Sequence, residues 1–167
     1  SGFLLRTFLG SDQSFASNRL SPFLPVRIID DFECPPARGV WWDSDGTLVY
    51  QRNVNSDHPL LGRHSMEVVY DKAGRPWSFF AFHPHQDGAN NDFYGFTEVI
   101  VWIYSENRTS VLMKVEDSTG RSDEVRIPLL PQTWVRGLLP LRNVNKHSIQ
   151  NILFFVAPGS PDSTGRI

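Results

Sequence analysis

The sequence predicts an all-β domain, either a β-sandwich or a β-barrel, and three observations lead to that prediction. About ten short apolar segments recur along the chain, separated by clusters of Gly, Pro, Asn, Asp and Ser. Most of them alternate apolar and polar residues or are rich in β-branched and aromatic residues, as strands are. No segment has a capped helical period of useful length.

The predicted strands follow one another from about residue 26 onward. Segment 66–82 contains two of them around a turn at Lys72–Pro76, and the second, 77–82, carries large apolar residues on both faces. We expect Met66 and Val68 to fill the core; if Trp77 faces outward, Phe79 and Ala81 share its side and Phe80 and Phe82 fill the core as well. Segment 96–104 is β-branched and aromatic throughout, which predicts a mid-sheet strand covered on both sides. The other predicted strands are 26–33, 47–52, 111–116, 124–130, 134–139 and 149–157, and residues 166–167 are interpreted as the start of one more.

Polar or glycine-rich segments predict the loops and the domain boundary. Segment 39–46 (GVWWDSDG), segment 53–62 and the long polar segment 83–92 are predicted loops. Residues 1–25 are predicted to be an N-terminal extension or linker, and 26–167 the folded domain. Segment 3–9 is apolar enough to add a strand to a sheet edge.

Composition excludes several classes of protein. The chain has 167 residues and a net charge of −2, with no cluster of Lys or Arg, so nucleic acid and acidic membranes are not expected partners. The single cysteine, Cys34, excludes an internal disulfide and a CxxC metal site. No apolar run approaches the ~20 residues of a membrane-spanning helix.

The order of motifs resembles the family 11 carbohydrate-binding modules and related galactose-binding-like jelly-roll modules. The segments that carry the resemblance are IIDDFE (28–33), SMEVVY (65–70), VIVWIYSE (99–106), PQTWVRGLLPL (131–141) and IQNILFFVAP (149–158). The resemblance implies a two-sheet antiparallel β-sandwich that binds polysaccharide and accompanies a glycoside hydrolase outside the cell. Two departures, a short segment 143–148 without tyrosine and Val156 where the family has an aromatic residue, argue against mixed-linkage β-glucan as the specific ligand.

The carboxylates do not predict catalysis. A glycoside hydrolase needs two carboxyl groups ~5–9.5 Å apart across a cleft. The nearest pairs, Glu116 with Asp117 and Asp123 with Glu124, are adjacent on strands and therefore point to opposite faces. His83 and His85 form the closest histidine pair but lie in a predicted loop, without a third metal ligand at a suitable spacing. We therefore expect a protein that is not an enzyme.

Aromatic residues are the predicted ligand contacts. Sugar rings pack on flat, rigid aromatic side chains, which lose little entropy on binding. Trp77 stands where the resembling modules carry an aromatic residue of the binding cleft, and Tyr70 could share its surface. Trp41 and Trp42 are consecutive, so in a strand one points inward and the other outward. Trp102 and Trp134 are expected in the core.

Polar partners and a metal complete the predicted site. Lys114, Glu116 and Arg136 alternate with apolar residues and are candidates to line a binding groove, although a merely solvated face is the alternative. The resemblance also implies a structural calcium ion held by Asp31 and Glu33, because hard cations take oxygen ligands.

The sequence thus predicts a secreted, non-catalytic polysaccharide-binding module attached to a catalytic domain. Two alternatives remain: an ancillary jelly-roll domain that packs on a catalytic domain without binding sugar, or a jelly-roll enzyme acting on polysaccharide.

Overall fold

The computed structural model describes residues 8–10, 27–30, 38–43, 48–53, 65–71, 78–107, 109–156 and 164–166. These residues form twelve strands and one short 3-10 turn at Lys146–Ser148. The strands are β1 Phe8–Gly10, β2 Arg27–Ile28, β3 Gly39–Asp43, β4 Leu48–Asn53, β5 Ser65–Asp71, β6 Ser78–Pro84, β7 Glu98–Ser105, β8 Thr109–Asp117, β9 Ser122–Leu129, β10 Thr133–Pro140, β11 Ile149–Val156 and β12 Thr164–Arg166.

The strands build antiparallel sheets around one core. The largest sheet has the order β3-β6-β11-β8-β9, a second has the order β10-β7-β1-β2, and β12-β5-β4 form a third. Every pair of named strands is antiparallel. The predicted all-β sandwich is therefore confirmed, and no helix in the described ranges is long and apolar enough to cross a membrane.

The period-2 alternation decides which side chains enter the core. In β8, Val111, Met113 and Val115 are fully buried, whereas Leu112 and Lys114 between them are only half-buried. The same alternation in β6, β7 and β11 buries one face of each strand, because a sheet that packs on another buries the facing residues. Met66 and Val68 of β5 belong to the same core cluster, as predicted, together with Phe80 and Phe82.

An aromatic cluster fills the centre of this core. Phe80 and Phe154 are stacked with ring centroids 5.1 Å apart, and Trp41 lies 5.2 Å from Phe82. The indole Nε1 of Trp41 donates a hydrogen bond of 2.8 Å to the buried Asp30 carboxylate, so the polar edge of the ring is satisfied.

Two buried carboxylates join the β8–β9 hairpin to segment 142–145. Asp123 accepts hydrogen bonds from the backbone N–H groups of residues 142, 143 and 144 and from the Asn143 side chain. Asp117 accepts from the backbone of Thr119, Arg121 and Asn145 and from the Thr119 hydroxyl. Burial alone would raise the pKa of Asp117, but these hydrogen bonds outweigh it and lower the pKa to about 2. Asp123 behaves in the same way: burial would raise its pKa, but its hydrogen bonds outweigh burial and the pKa is lowered.

Several sequence-based expectations about the strands were wrong. Residues 39–43, predicted as loop, form β3 and pair with β6. The predicted strand at 26–33 is regular only over 27–28 in the part that the structure describes. Strand β1 does not lie at a sheet edge but between β2 and β7. Each error concerns a partner distant in sequence, which local pattern does not reveal. A C-terminal strand is present, but it begins at Thr164, two residues before the predicted start at residue 166, and it pairs with β5.

Trp102 and Trp134 do not lie in the core, contrary to prediction. Both are half-buried on the outer face of the second sheet, where Trp134 is opposite Tyr104 and their ring centroids are 5.5 Å apart. Strand β7 is mid-sheet as predicted, but only Val99, Val101 and Ile103 face the inner side.

Candidate functional site

The outer face of the five-stranded sheet carries the candidate site, and we call it the aromatic face. Its members are the outward side chains of β3, β6, β11, β8 and β9 in spatial order. They are Val40, Trp42, Phe79, Ala81, His83, Asn151, Leu153, Phe155, Leu112, Lys114, Glu116, Glu124 and Arg126.

Three aromatic side chains cross this face on three neighbouring strands. Trp42 is 37% exposed and meets Phe79 edge-on, with centroids 5.5 Å apart and an interplanar angle of 87°. Phe79 in turn lies 5.2 Å from Phe155, which is directly opposite it in the β6–β11 register. The exposed indole therefore belongs to a continuous apolar strip supported by a regular sheet.

Two small or aliphatic residues at the centre of the aromatic face are buried. Ala81 lies between Trp42 and Leu153 in register and is 0% exposed, and Leu153 is 6% exposed. Both are therefore closely packed although their side chains lie on the outer face of the sheet. The regular sheet holds the aromatic strip in position before any ligand binds.

Charged side chains occupy the other half of the aromatic face. Lys114 Nζ lies 2.6 Å from Glu116 Oε1, and Lys114 is opposite Glu124 in the β8–β9 register. Leu112 is opposite Arg126, whose Nη1 donates to Ser110 Oγ at 3.3 Å. Two cations and two anions balance, so this half of the face offers polar contacts without a net charge.

A polar pair borders the strip toward one end of the sheet. His83 Nδ1 and Asn151 Oδ1 are 3.1 Å apart on neighbouring strands. Together with the charged half, this pair provides donors and acceptors beside an apolar surface. Such a combination suits a ligand that has both C–H faces and hydroxyl groups.

Glu116 and Glu124 are diagonal neighbours on the aromatic face, a relation that corresponds to ~7–8 Å between backbones. Glu124 is exposed, and Glu116 forms a surface ion pair with Lys114.

Comparisons with known proteins place the fold. No protein-family model matches the chain, and no curated protein matches it in sequence. The structure is similar to part of PfGH50B, with a TM-score of 0.56, 8% identity and coverage of 77% of this chain and 21% of that one. It is also similar to part of an agarase, AgWH50C, with a TM-score of 0.57, 11% identity and coverage of 83% and 23%.

A third solved structure, TmCBM61 in complex with β-1,4-galactotriose, has a TM-score of 0.48 and 12% identity, with 77% of this chain and 86% of that chain covered. The chain spans about a fifth of the length of PfGH50B and AgWH50C. The likeness to these two proteins shows a shared fold.

The structure brings three of the predicted ligand-contact residues together. Trp42, Lys114 and Glu116 share the aromatic face. Trp41 does not, since it is 8% exposed and packs in the core; this settles which of the two consecutive tryptophans faces outward. Arg136 is also separate, because it lies on the outer face of the second sheet, 3.9 Å from Glu98.

Other predicted site residues cannot be placed. Trp77, Asp31 and Glu33 lie outside the described residues, and so does the side chain of Tyr70, although its backbone belongs to β5. Within the described ranges no group of three or more His, Cys, Asp or Glu could hold a metal ion. Calcium therefore stays a prediction.

Phe155 and Leu112 are among the members of the aromatic face that the sequence analysis does not identify. Both sit between large apolar residues in sequence, as ordinary strand residues do. The signal for Phe155 is that β11, like β6, carries bulky apolar residues on both faces, more than one core can use.

Proposed function

We propose that this chain is a secreted, non-catalytic carbohydrate-binding module that binds a neutral polysaccharide on the aromatic face. The observation that carries the proposal is the run of Trp42, Phe79 and Phe155 across three strands beside a charge-balanced polar half. Sugar rings would pack on the aromatic strip, and Lys114, Glu116 and Asn151 would bond their hydroxyl groups.

The charge balance favours a neutral glycan over a sulfated or uronic one. A polyanion would need an excess of Lys or Arg, whereas Lys114 and Arg126 are matched by Glu116 and Glu124. The fold neighbours support the general class, since one of them is an agarase. By the same analogy, the module would direct an attached glycoside hydrolase to its substrate.

Affinity electrophoresis in gels containing agarose, β-1,4-galactan or mixed-linkage β-glucan tests the proposal. We expect retardation by at least one of them, weakened about tenfold or more in Trp42→Ala, as when an aromatic hot-spot residue is truncated. Leu130→Ala is the control: Leu130 is 51% exposed and lies outside the aromatic face. Unchanged mobility in every gel would overturn the proposal.

Release of reducing ends in the same samples would identify an enzyme instead. In that case Glu116→Gln and Glu124→Gln should abolish the release, because these two carboxylates are diagonal neighbours on one face of the sheet and a glycoside hydrolase needs a pair of them.

A second candidate function is that of an ancillary domain that packs on a catalytic domain. The observation that favours it is a pair of half-buried tryptophans, Trp102 and Trp134, on the outer face of the second sheet, where Trp134 contacts the buried Tyr104. Failure of every glycan to retard the chain would favour this candidate over the first.

A further inference from the structure

Tyr94 is the most exposed large hydrophobic side chain among the described residues, at 70%. It lies in the loop between β6 and β7, at the end of the sandwich where β6 ends and β11 begins. Its ring stacks on the imidazole of His147 with centroids 4.7 Å apart and planes inclined by 15°. One face of the phenol ring is therefore covered, and the opposite face is open to solvent.

Asp92 holds the two stacked rings together. Asp92 Oδ1 accepts a hydrogen bond of 2.7 Å from the backbone N–H of Tyr94, and Oδ2 lies 3.3 Å from His147 Nδ1. The hydrogen bond from Tyr94 is the main reason why the pKa of Asp92 is lowered, and the His147 contact adds to it. The carboxylate is thus charged and in place at neutral pH.

Two basic side chains, Arg27 and Lys146, donate hydrogen bonds to the backbone of the loop that carries Tyr94. Arg27 donates to the carbonyl oxygens of Ala89 and Asp92 and lies about 5 Å above the ring centroids of Phe93 and Phe96. Lys146 Nζ donates to the Phe96 carbonyl at 2.7 Å. The loop and the 3-10 turn that carries His147 are therefore one hydrogen-bonded unit.

Such an arrangement is more than a solvated loop requires. A single exposed aromatic residue is ordinary, but here a carboxylate, an imidazole and two basic side chains hold the ring and its loop in one position. A ring that is already held in position loses little conformational entropy when a ligand binds, so more of its contact energy contributes to affinity.

We propose that Tyr94, His147 and Asp92 form a second sugar-binding site, separate from the aromatic face. A pyranose ring would pack its C–H face on the open side of Tyr94, and its hydroxyl groups would donate to the remaining lone pairs of Asp92. The proposed ligand is a neutral sugar, because a uronic or sulfated sugar would place its anionic group against the Asp92 carboxylate.

The inference rests on the proposed class of ligand but on a different surface. If both sites are occupied by one polysaccharide, each raises the effective concentration of the other, so long chains bind more tightly than short ones. A module with the aromatic face alone would show a smaller dependence on chain length.

The test uses Trp42→Ala, Tyr94→Ala and the double variant against agarose, β-1,4-galactan and mixed-linkage β-glucan, and against hexasaccharides of each. We expect Tyr94→Ala to weaken polysaccharide binding about fivefold or more, Tyr94→Phe to retain it, and Trp42→Ala to leave residual binding that the double variant loses. Leu130→Ala, at a residue 51% exposed elsewhere, is the control.

Amide NMR spectra during hexasaccharide titration separate the two proposals. Shifts at Tyr94 and His147 that persist in Trp42→Ala support the second site even if the aromatic face proves inactive. Shifts confined to the aromatic face, with Tyr94→Ala binding as tightly as the wild type, would overturn the second site and leave the proposed function standing. Absence of binding to all three glycans would overturn both.

Discussion

Asp117 and Asp123 show how single buried carboxylates hold this fold together and make it sensitive to acid. Both accept several hydrogen bonds and both have lowered pKa values, that of Asp117 falling from 3.8 to about 2. A carboxyl whose pKa is lower in the folded state stabilises the protein above its unfolded pKa, and the stabilisation is lost as pH falls through the folded pKa.

We therefore expect the melting temperature to change little from about pH 7 to 5 and to fall between about pH 4 and 2. Asp117→Asn should melt at a lower temperature at pH 7, because it weakens acceptance from four donors, and should show a shallower acid slope. Calorimetric melting across this pH range is the measurement. An unchanged slope in Asp117→Asn would contradict the assignment, and Glu124→Gln is the exposed control.

Local sequence pattern predicts only part of the arrangement of Trp41 and Trp42. The alternation of a strand established that one ring faces inward and one outward. Which ring faces inward depends on the residues on either side of the sheet. Trp41 contacts Asp30 and Phe82 inside, and Trp42 contacts Phe79 outside. Those neighbours are 11 to 41 residues away in sequence, so local pattern could not choose between the two.

At the scale of elements, strand β3 decides whether Trp42 is correctly placed. It is an edge strand, bonded only to β6 among the described strands. Gly39 begins it, and a Cβ at this position would overlap the carbonyl oxygen of His83 in β6. Because the obstacle is backbone rather than a flexible side chain, β3 would have to move away.

Gly39→Ala should therefore destabilise the protein by about 1–3 kcal/mol, the usual cost of forced overpacking. It should also weaken glycan binding, since Trp42 moves with its strand. Urea unfolding followed by affinity electrophoresis measures both effects, with Leu130→Ala, at an exposed residue outside the aromatic face, as the control. Wild-type stability in Gly39→Ala would show that β3 accommodates the methyl group.

Strands with a strong internal pattern were predictable, and those defined by their partners were not. Strands β5 to β11 matched their predicted segments to within about two residues, since alternation or β-branched composition marks them. Strand β3 was missed because its glycine and aspartate resemble a turn, and the interior place of β1 depends on β2 and β7. In those two segments, pairing with neighbouring strands, and not the intrinsic strand propensity of the residues, produces the strand.

At the scale of the whole molecule, charge is nearly balanced both overall and on the aromatic face. The net charge is −2, and the cations of the aromatic face are matched by anions. Long-range attraction to a charged polymer is therefore weak, and binding should rely on apolar contact and short hydrogen bonds.

We expect the affinity for a neutral polysaccharide to change less than about twofold between roughly 0.05 and 1 M NaCl, a range over which the Debye length falls severalfold. Heparin, a sulfated polyanion, should not bind. Electrophoresis at several salt concentrations measures this. An affinity that decreases about tenfold with salt would instead indicate an anionic ligand, and would contradict the neutral-glycan assignment at both proposed sites.

The sequence by itself determined the all-β class, most strands, the core residues of β5 and β8, and the fact that only one of Trp41 and Trp42 faces outward, because each follows from alternation over a few residues. Only the tertiary structure decided which tryptophan is exposed, that Arg136 and Lys114 lie on different sheets, and that Tyr94 meets His147 across 53 residues of chain. The physical reason is the same in each case. Strand period assigns a side chain to a face, but the order of strands in a sheet and the packing of loops at its end decide which faces and which residues meet.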